Sequence, residues 1–222
     1  MSGGVKSLGV SSLSGSVPKS APGLPRGRAS LDPSDVTAHQ RARLLRAVVS
    51  AVADKGFQQT TIADIVERAR VSRAVMYREF DSKLDCFLVA IDAGRTLLME
   101  RLEQAVREAG GGPLESVARA ISHTYLQTCV HEPDHTRAWV LELGTAGPEG
   151  IAMRTDYLDA LAALMRNIDA EHGAGTTRPP GHYVALVGGI TELVARKVHS
   201  GEQGRLLDIE DTLVAVIVTM LR

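Results

Sequence analysis

Two short segments between Thr60 and Lys83 carry apolar residues at helical spacing, in the sequence TTIADIVERARVSRAVMYREFDSK. The first segment places four of them on one helical face: Ile62, Ile65, Val66 and Ala69. Thr61 followed by Asp64 approaches a capping box, and Ser72 is a favourable N-cap for a second helix, Arg73 to Phe80. Two short helices joined by a turn of about four residues are typical of a helix-turn-helix unit that enters a DNA major groove.

The second of these helices has an apolar inner side and a polar outer side. Its inward residues are predicted to be Val75, Met76 and Phe80. Arginine is the commonest side-chain partner of guanine, and an alanine methyl can pack on the methyl of thymine. We therefore expect Arg73 and Arg78 to contact bases or phosphates, and Ala74 to pack on a thymine. The full set of candidate DNA contacts is Thr61, Ser72, Arg73, Ala74, Tyr77, Arg78 and Lys83.

This stretch, with the preceding helix that ends at Gly56-Phe57, resembles the DNA-binding domain of the tetracycline-repressor (TetR) family. The resemblance runs from Thr37 to about Phe87 and is most specific at Tyr77-Arg78-Glu79-Phe80-x-x-Lys83. Two positions depart from the family pattern: Arg70 stands where the turn usually has glycine, and Glu79 stands where histidine or tyrosine is common. The resemblance implies a dimeric regulator, a repressor in the favoured interpretation, that binds a palindromic operator as double-stranded DNA. It also implies that a small effector shifts the long fourth helix and changes the half-site spacing.

Two functions of other classes were weighed. The first alternative is a helical ligand-binding or adaptor protein with impaired DNA binding, supported by Arg70 and Glu79. The second is a metal-dependent enzyme that uses His131 and His135, but Pro133 lies between them and no third ligand has matching spacing. A polar turn between helices is the favoured interpretation of these residues. No nucleophile motif, phosphate loop or dinucleotide motif is present, so we predict no catalytic residue, metal or cofactor.

The rest of the chain also predicts helices alone, so the expected fold class is all-α with about nine helices. The first helix should run from about Val36 to Lys55, with a capping box at Thr37 and Gln40 and a stop at Gly56. After the helix-turn-helix, the predicted helices are Ser82 to about Ala109, Pro113 to about Val130, a short one with Trp139, about Pro148 to Glu171, about Gly181 to Ser200, and about Leu207 to Leu221.

Charge is divided unevenly along the chain. Residues 1–83 hold 13 Lys+Arg and 7 Asp+Glu, a net +6, whereas residues 84–222 hold 12 and 19, a net −7. A basic N-terminal part and an acidic C-terminal part are consistent with a nucleic-acid contact made by the N-terminal part only. We expect a disordered basic tail rich in Ser, Gly and Pro (1–35), a DNA-binding domain (36–83), and a ligand-binding and dimerisation domain (84–222).

The expected cellular location depends on whether the sequence has a secretion signal or a membrane-spanning segment. No stretch reads as a secretion signal, and none reaches the roughly 20 apolar residues that span a membrane. Cys86 and Cys129 do not form a disulfide framework and are expected to be buried. We therefore expect a cytoplasmic protein with no membrane partner.

The middle and last helices carry the remaining candidates. The resemblance implies an effector cavity among the middle helices, and apolar walls with polar tips suit a drug-sized or lipid-like ligand. Its candidate contacts are His123, Tyr125, Trp139, Met153 and Tyr157. The segment 212–221 is apolar nearly all round and must be covered on all sides. An internal core of a monomer is one explanation, and the homodimer implied by the resemblance is favoured, with interface candidates Tyr183, Leu186, Ile190, Val194, Leu213, Val216, Ile217 and Met220.

Overall fold

A computed structural model describes residues 33–173, 175 and 177–222. Within these ranges the chain forms nine α-helices and no strand, as the sequence predicts. They are α1 (Pro33–Lys55), α2 (Ile62–Ala69), α3 (Arg73–Glu79), α4 (Lys83–Ala109), α5 (Leu114–His131), α6 (Pro133–Arg137), α7 (Pro148–His172), α8 (His182–His199) and α9 (Glu210–Leu221). After α6 the chain continues through a π-helical turn, Ala138–Glu142, and a 3₁₀ turn, Leu143–Thr145. A further 3₁₀ segment, Gln203–Ile209, leads into α9.

Helix α1 begins earlier than the sequence pattern predicts. Its first residue is Pro33, so Thr37 and Gln40 lie inside the helix and do not form its cap. Proline suits a first helical turn because its missing N–H would have no helical partner there, and Asp35 favours the positive end of the helix dipole. Residues 33–35 therefore belong to the helix, and the rest of the predicted tail lies outside the described residues.

The first three helices form a small unit around the inner face of α3. Met76 of α3 and Ile65 of α2 are fully buried with Leu44 and Val48 of α1, and Phe80 closes the end of α3. The predicted caps are present: Thr61 and Asp64 form a capping box, and the Ser72 hydroxyl accepts from the Val75 N–H. The side of α3 that faces away from this core is therefore the side that the sequence predicts to be outward.

Helix α4 joins this unit to a larger helical domain. Within that domain α5 packs against α4 and α9, and α7 packs against α8. Cys86 and Cys129 are both buried and free, as expected, and burial raises the pKa of each thiol to about 12. None of the described helices is long and apolar enough to cross a bilayer.

Candidate nucleic-acid interface and effector cavity

Four residues of α3 form an outward face on the helix-turn-helix unit. Arg73, Ala74, Tyr77 and Arg78 are all exposed, and Tyr77 leaves 58% of its surface open to solvent. Such a large exposed aromatic side chain between two exposed arginines is unusual on a surface that only faces water. The structure thus brings four of the seven predicted DNA contacts together on one helix face.

The turn before α3 takes a left-handed backbone conformation at Arg70. Its φ of 52° and ψ of 48° are of the kind that glycine usually supplies, and Arg70 is the one non-glycine residue with positive φ among those described. This conformation costs an L-residue on the order of 1 kcal/mol. Three hydrogen bonds stabilise the turn: Arg70 N–H to Glu67 O (3.1 Å), Val71 N–H to Val66 O (3.1 Å), and Arg43 Nη2 to the Arg70 carbonyl (3.3 Å).

Glu79, the second departure from the family pattern, has a largely buried side chain. Its side chain is only 10% exposed, and its carboxylate receives Arg78 Nε at 3.0 Å and lies 3.8 Å from Arg41 Nη1. Arg78 Nη2 also donates to Gln40 Oε1 at 2.8 Å. The guanidinium of Arg41 stacks 4.4 Å from the centre of the Phe80 ring. Glu79 therefore neutralises and orients two arginines beside the exposed face of α3.

Three other predicted DNA contacts are engaged within the protein. Thr61 and Ser72 cap α2 and α3 with their hydroxyl groups. The Lys83 ammonium donates to the carbonyls of Phe57 (2.7 Å) and Thr60 (2.9 Å), and partial burial lowers its pKa. The structure thus uses Lys83 to hold the turn between α1 and α2, a role that depends on partners more than 20 residues away and that local sequence does not reveal.

Two small cavities lie inside the larger domain, and Tyr125 lines both. The first, of about 40 Å³, is apolar apart from Tyr125, Ser122 and Thr191. The second, of about 20 Å³, includes Trp139 and Tyr157, whose rings pack edge to face at 3.8 Å. Water needs about 10–15 Å³ on such a measure, and a drug-sized ligand needs several hundred. Neither of these two cavities therefore offers drug-sized space. Larger spaces of about 290 and 730 Å³ are open clefts on the surface of the described chain, and His123 lines the larger of them.

Of the predicted effector contacts, three reach these cavities: Tyr125, Trp139 and Tyr157. His123 instead lies on the surface, where its Nδ1 is 2.8 Å from a Glu210 carboxylate oxygen. Met153 packs against the core and lines neither cavity.

Sequence reasoning missed several wall residues, among them Ser122, Thr191 and His135. Ser122 Oγ is buried with no hydrogen-bond partner among the described residues. His135 is buried against Gly94, and burial lowers its pKa to about 4. No described group of three His, Cys, Asp or Glu side chains could hold a metal ion.

Five of the eight predicted interface residues are buried within the single chain. They are Leu186, Ile190, Val194, Leu213 and Ile217, each at most 9% exposed. These side chains therefore pack in the subunit's own core. The apolar composition of α8 and α9 gives no clear outer face to the sequence pattern, and a contact of these five residues with a partner subunit stays a prediction. Val216, Met220 and Tyr183 are half-buried, and Tyr183 OH donates to Asp169 at 2.7 Å.

The outer faces of α8 and α9 carry small residues instead. On α8 the small residues of the exposed or half-exposed stripe are Ala185, Gly188 and Gly189, and the exposed Val184 lies beside them. Beyond the adjacent backbone of the same helix, no atom lies within 4 Å of a Cβ built on either glycine. On α9, Thr212, Ala215 and Thr219 are exposed. These faces leave open space close to the helix backbones.

Comparison with known proteins agrees with this architecture. Residues 44–90 match the family described as bacterial regulatory proteins, tetR family. The transcriptional regulator AcuR of Cereibacter sphaeroides is 34% identical over 160 residues, which span 67% of this chain and 65% of AcuR, slightly less than two thirds of that relative.

Solved structures share the fold at low sequence identity. The fatty acid degradation regulator FadR from Bacillus halodurans superposes with a TM-score of 0.71 at 15% identity, covering 81% of this chain and 94% of that one. FadR from Bacillus subtilis, solved in complex with stearoyl-CoA, gives 0.68 at 17% identity, covering 80% and 97%.

Residues 44–90 thus identify the helix-turn-helix unit of this chain as a TetR-family unit, of the kind found in bacterial regulatory proteins. The relative and the solved structures named above, which the larger part of the chain resembles, are also regulators.

Proposed function

We propose that the protein is a ligand-responsive repressor that binds a palindromic operator as a homodimer in the cytoplasm and is released by a small, largely apolar effector. The observation that carries the proposal is the outward face of α3, where Arg73, Ala74, Tyr77 and Arg78 are all exposed to solvent. A helix of this kind reads base edges in a major groove.

Arg73 and Arg78 take the base or phosphate contacts in this proposal. Arg78 is held by Glu79 and Gln40 in the free protein, so its guanidinium is oriented before DNA arrives. Tyr77 reaches the DNA backbone, and Thr61 and Ser72 contribute from the helix ends. Lys83 acts indirectly, because its ammonium already binds two carbonyl groups.

The second candidate, an adaptor with impaired DNA binding, rested on Arg70 and Glu79. Arg70 completes a hydrogen-bonded turn in the left-handed conformation, and Glu79 is turned away from the exposed face. Both observations favour DNA binding over the adaptor.

The partner subunit is proposed to cover the outer faces of α8 and α9. The stripe of small residues around Gly188 and Gly189 allows two helices to approach closely. One helix-turn-helix binds a single half-site, whereas a symmetric dimer can place two of them about 34 Å apart on successive major grooves.

The effector is proposed to enter the interior next to Tyr125, Trp139 and Tyr157. A structural neighbour binds stearoyl-CoA, but the cavities of about 40 and 20 Å³ in this chain favour a much smaller ligand. Binding must then move side chains apart, which links occupancy to conformational change.

The test is selection of operators from fragments of genomic DNA, followed by titration at several salt concentrations. Affinity should fall steeply with salt, by close to one power of salt concentration per phosphate contacted. Arg73→Ala should relax sequence preference and cost about 1–3 kcal/mol if it contacts guanine. Arg107→Ala removes an exposed arginine near the far end of α4 and is the matched control.

Failure to enrich any fragment over bulk DNA would reject the repressor proposal. Equal effects of Arg73→Ala and Arg107→Ala on operator selectivity would reject the assignment of α3 as the reading helix.

A further inference from the structure

The turn between α1 and α2, residues 56–60, is hydrogen-bonded to the larger domain on one side. Phe57 N–H donates to Glu142 Oε2 at 3.0 Å, and Gln58 Nε2 donates to the Thr145 carbonyl at 2.7 Å. Nearby, Arg137 Nε donates to the carbonyl of Ala53 in the last turn of α1, at 2.9 Å. One short segment, 137–145, thus supplies all three of these bonds.

Lys83 holds the same turn from the other side. Its ammonium binds the carbonyls of Phe57 and Thr60 and lies 4.2 Å from the centre of the Phe57 ring. The backbone of Phe57 therefore makes two hydrogen bonds to side chains: its N–H donates to Glu142, and its carbonyl accepts from Lys83. Because Thr61 caps α2 directly after this turn, a displacement of the turn must displace α2 and the α3 face with it.

Gly56 makes the contact with Glu142 possible. Its φ is +80°, which an L side chain rarely adopts, and a Cβ at this position would lie 3.2 Å from Glu142 Oε2. Glycine therefore serves both the helix stop and the close approach of the carboxylate.

The segment that holds Glu142 also forms a wall of the second cavity. Trp139 and Glu142 both belong to the π-helical turn Ala138–Glu142, with Trp139 buried against Tyr157 and Glu142 reaching the DNA-binding unit. A π turn holds one residue more than an α turn, and such turns are frequent at functional sites. A displacement of Trp139 that changes the helical winding of this turn would therefore also move Glu142.

We propose that the π turn Ala138–Glu142 couples the effector cavity to the DNA-binding unit, with Glu142 as the positioning residue that holds the turn 56–60. The coupling rests on the repressor function proposed above. In the closed-cavity conformation Glu142 binds the Phe57 N–H and keeps α3 in its operator-binding position. An effector that displaces Trp139 shifts the π turn, breaks this hydrogen bond and frees the turn.

Operator DNA itself is the probe that tests this coupling. Coupling of binding free energies is reciprocal, and in this proposal operator bound at α3 also tightens the contact between the turn 56–60 and the π turn, which changes the environment of Trp139. Trp139 is the only tryptophan in the chain, and its fluorescence reports that environment directly. The selected operator fragment is titrated into wild type, Glu142→Ala, Glu142→Gln and the control Asp159→Ala, an exposed carboxylate on α7.

We expect Glu142→Ala and Glu142→Gln to differ in how Trp139 emission responds to operator. Operator changes Trp139 emission in wild type, in Asp159→Ala and in Glu142→Gln, whose amide oxygen still accepts from Phe57 N–H. In Glu142→Ala the emission change is lost and operator affinity falls on the order of 10-fold, within the usual range of allosteric coupling. Amide hydrogen exchange should accelerate at Phe57 in the alanine variant alone, whereas a general loss of structure would accelerate it across the domain.

Other outcomes overturn the proposal. If operator changes Trp139 emission equally in Glu142→Ala and wild type, or not at all in wild type that binds operator, the π turn does not couple the sites. Gln58→Ala, at an exposed position, removes the Thr145 bond and provides a second test should Glu142→Ala fail to fold; it must reduce the emission change. Failure of wild type to bind any selected fragment would instead reject the repressor function.

Discussion

Gly189 offers a direct test of where a second subunit packs. It lies exposed in the middle of α8, and beyond the adjacent backbone of the same helix no atom is within 4 Å of a Cβ built on it. In an isolated subunit Gly189→Ala should stabilise the helix by about 1 kcal/mol, because alanine has much the higher helix propensity. For a chain of this size that corresponds to a rise in Tm of roughly 2–4 °C.

In a dimer packed on this face, Gly189→Ala should instead destabilise the assembly. The added methyl then enters a close helix crossing in both subunits, and overpacking of this kind costs about 1–3 kcal/mol. The dimer dissociation constant should rise roughly 5- to 150-fold, since about 1.4 kcal/mol is a factor of ten.

Sedimentation across a dilution series measures the dissociation constant, and thermal unfolding at low and high protein concentration measures the stability of each species. Asn167→Ala on the exposed side of α7 is the control and should leave dimerisation unchanged. A Gly189→Ala variant that is more stable at every concentration and dimerises as tightly as wild type would refute packing through this face.

Three further predictions concern stability. Burial lowers the pKa of His135 to about 4, whereas the pKa in the unfolded chain is about 6.5. The contribution of His135 to the free energy of unfolding is therefore complete above pH 6.5 and is lost as the pH falls through 4. Urea unfolding should show about 2 kcal/mol lost through this group between pH 7 and pH 5, and His135→Asn should abolish that component. Gly94→Ala should destabilise by about 1–3 kcal/mol despite better helix propensity, because its Cβ would overlap the His135 imidazole; a higher Tm would contradict this packing. Arg70→Gly should stabilise by about 1 kcal/mol in urea unfolding because glycine adopts φ 52° freely, whereas Arg70→Val should destabilise because a β-branched residue is a steric outlier there; equal changes would argue against the left-handed turn.

The helix-turn-helix unit was predictable because its signals are local. Caps at Thr61 and Ser72 and the apolar face of α2 act over three or four residues, and the structure follows them. The roles of Glu79 and Lys83 were not predictable in this way. Glu79 is turned inward by Arg41, and Lys83 is held by Phe57, partners that are close only after the chain has folded.

The same limit applies to the larger domain. Helix α9 is apolar on nearly every side, so periodicity could not tell its core-facing Leu213 and Ile217 from its outer residues. The π turn has no sequence signature, because it arises where α6 is packed between the two domains. Tyr125, Trp139 and Tyr157 line the second cavity, and their contact with an effector stays a prediction.

The burial of both native cysteines makes the protein well suited to site-specific chemical labelling. Burial raises the pKa of both thiols and shields them from reagents, so maleimide reagents should react with Cys86 and Cys129 far more slowly than with an exposed thiol. A single engineered cysteine, such as Tyr77→Cys on the exposed face of α3, would then carry a dye at a unique position in each subunit. In the proposed dimer, energy transfer between two such dyes would report the separation of the two α3 helices in solution, without operator DNA and without any need to remove the native thiols.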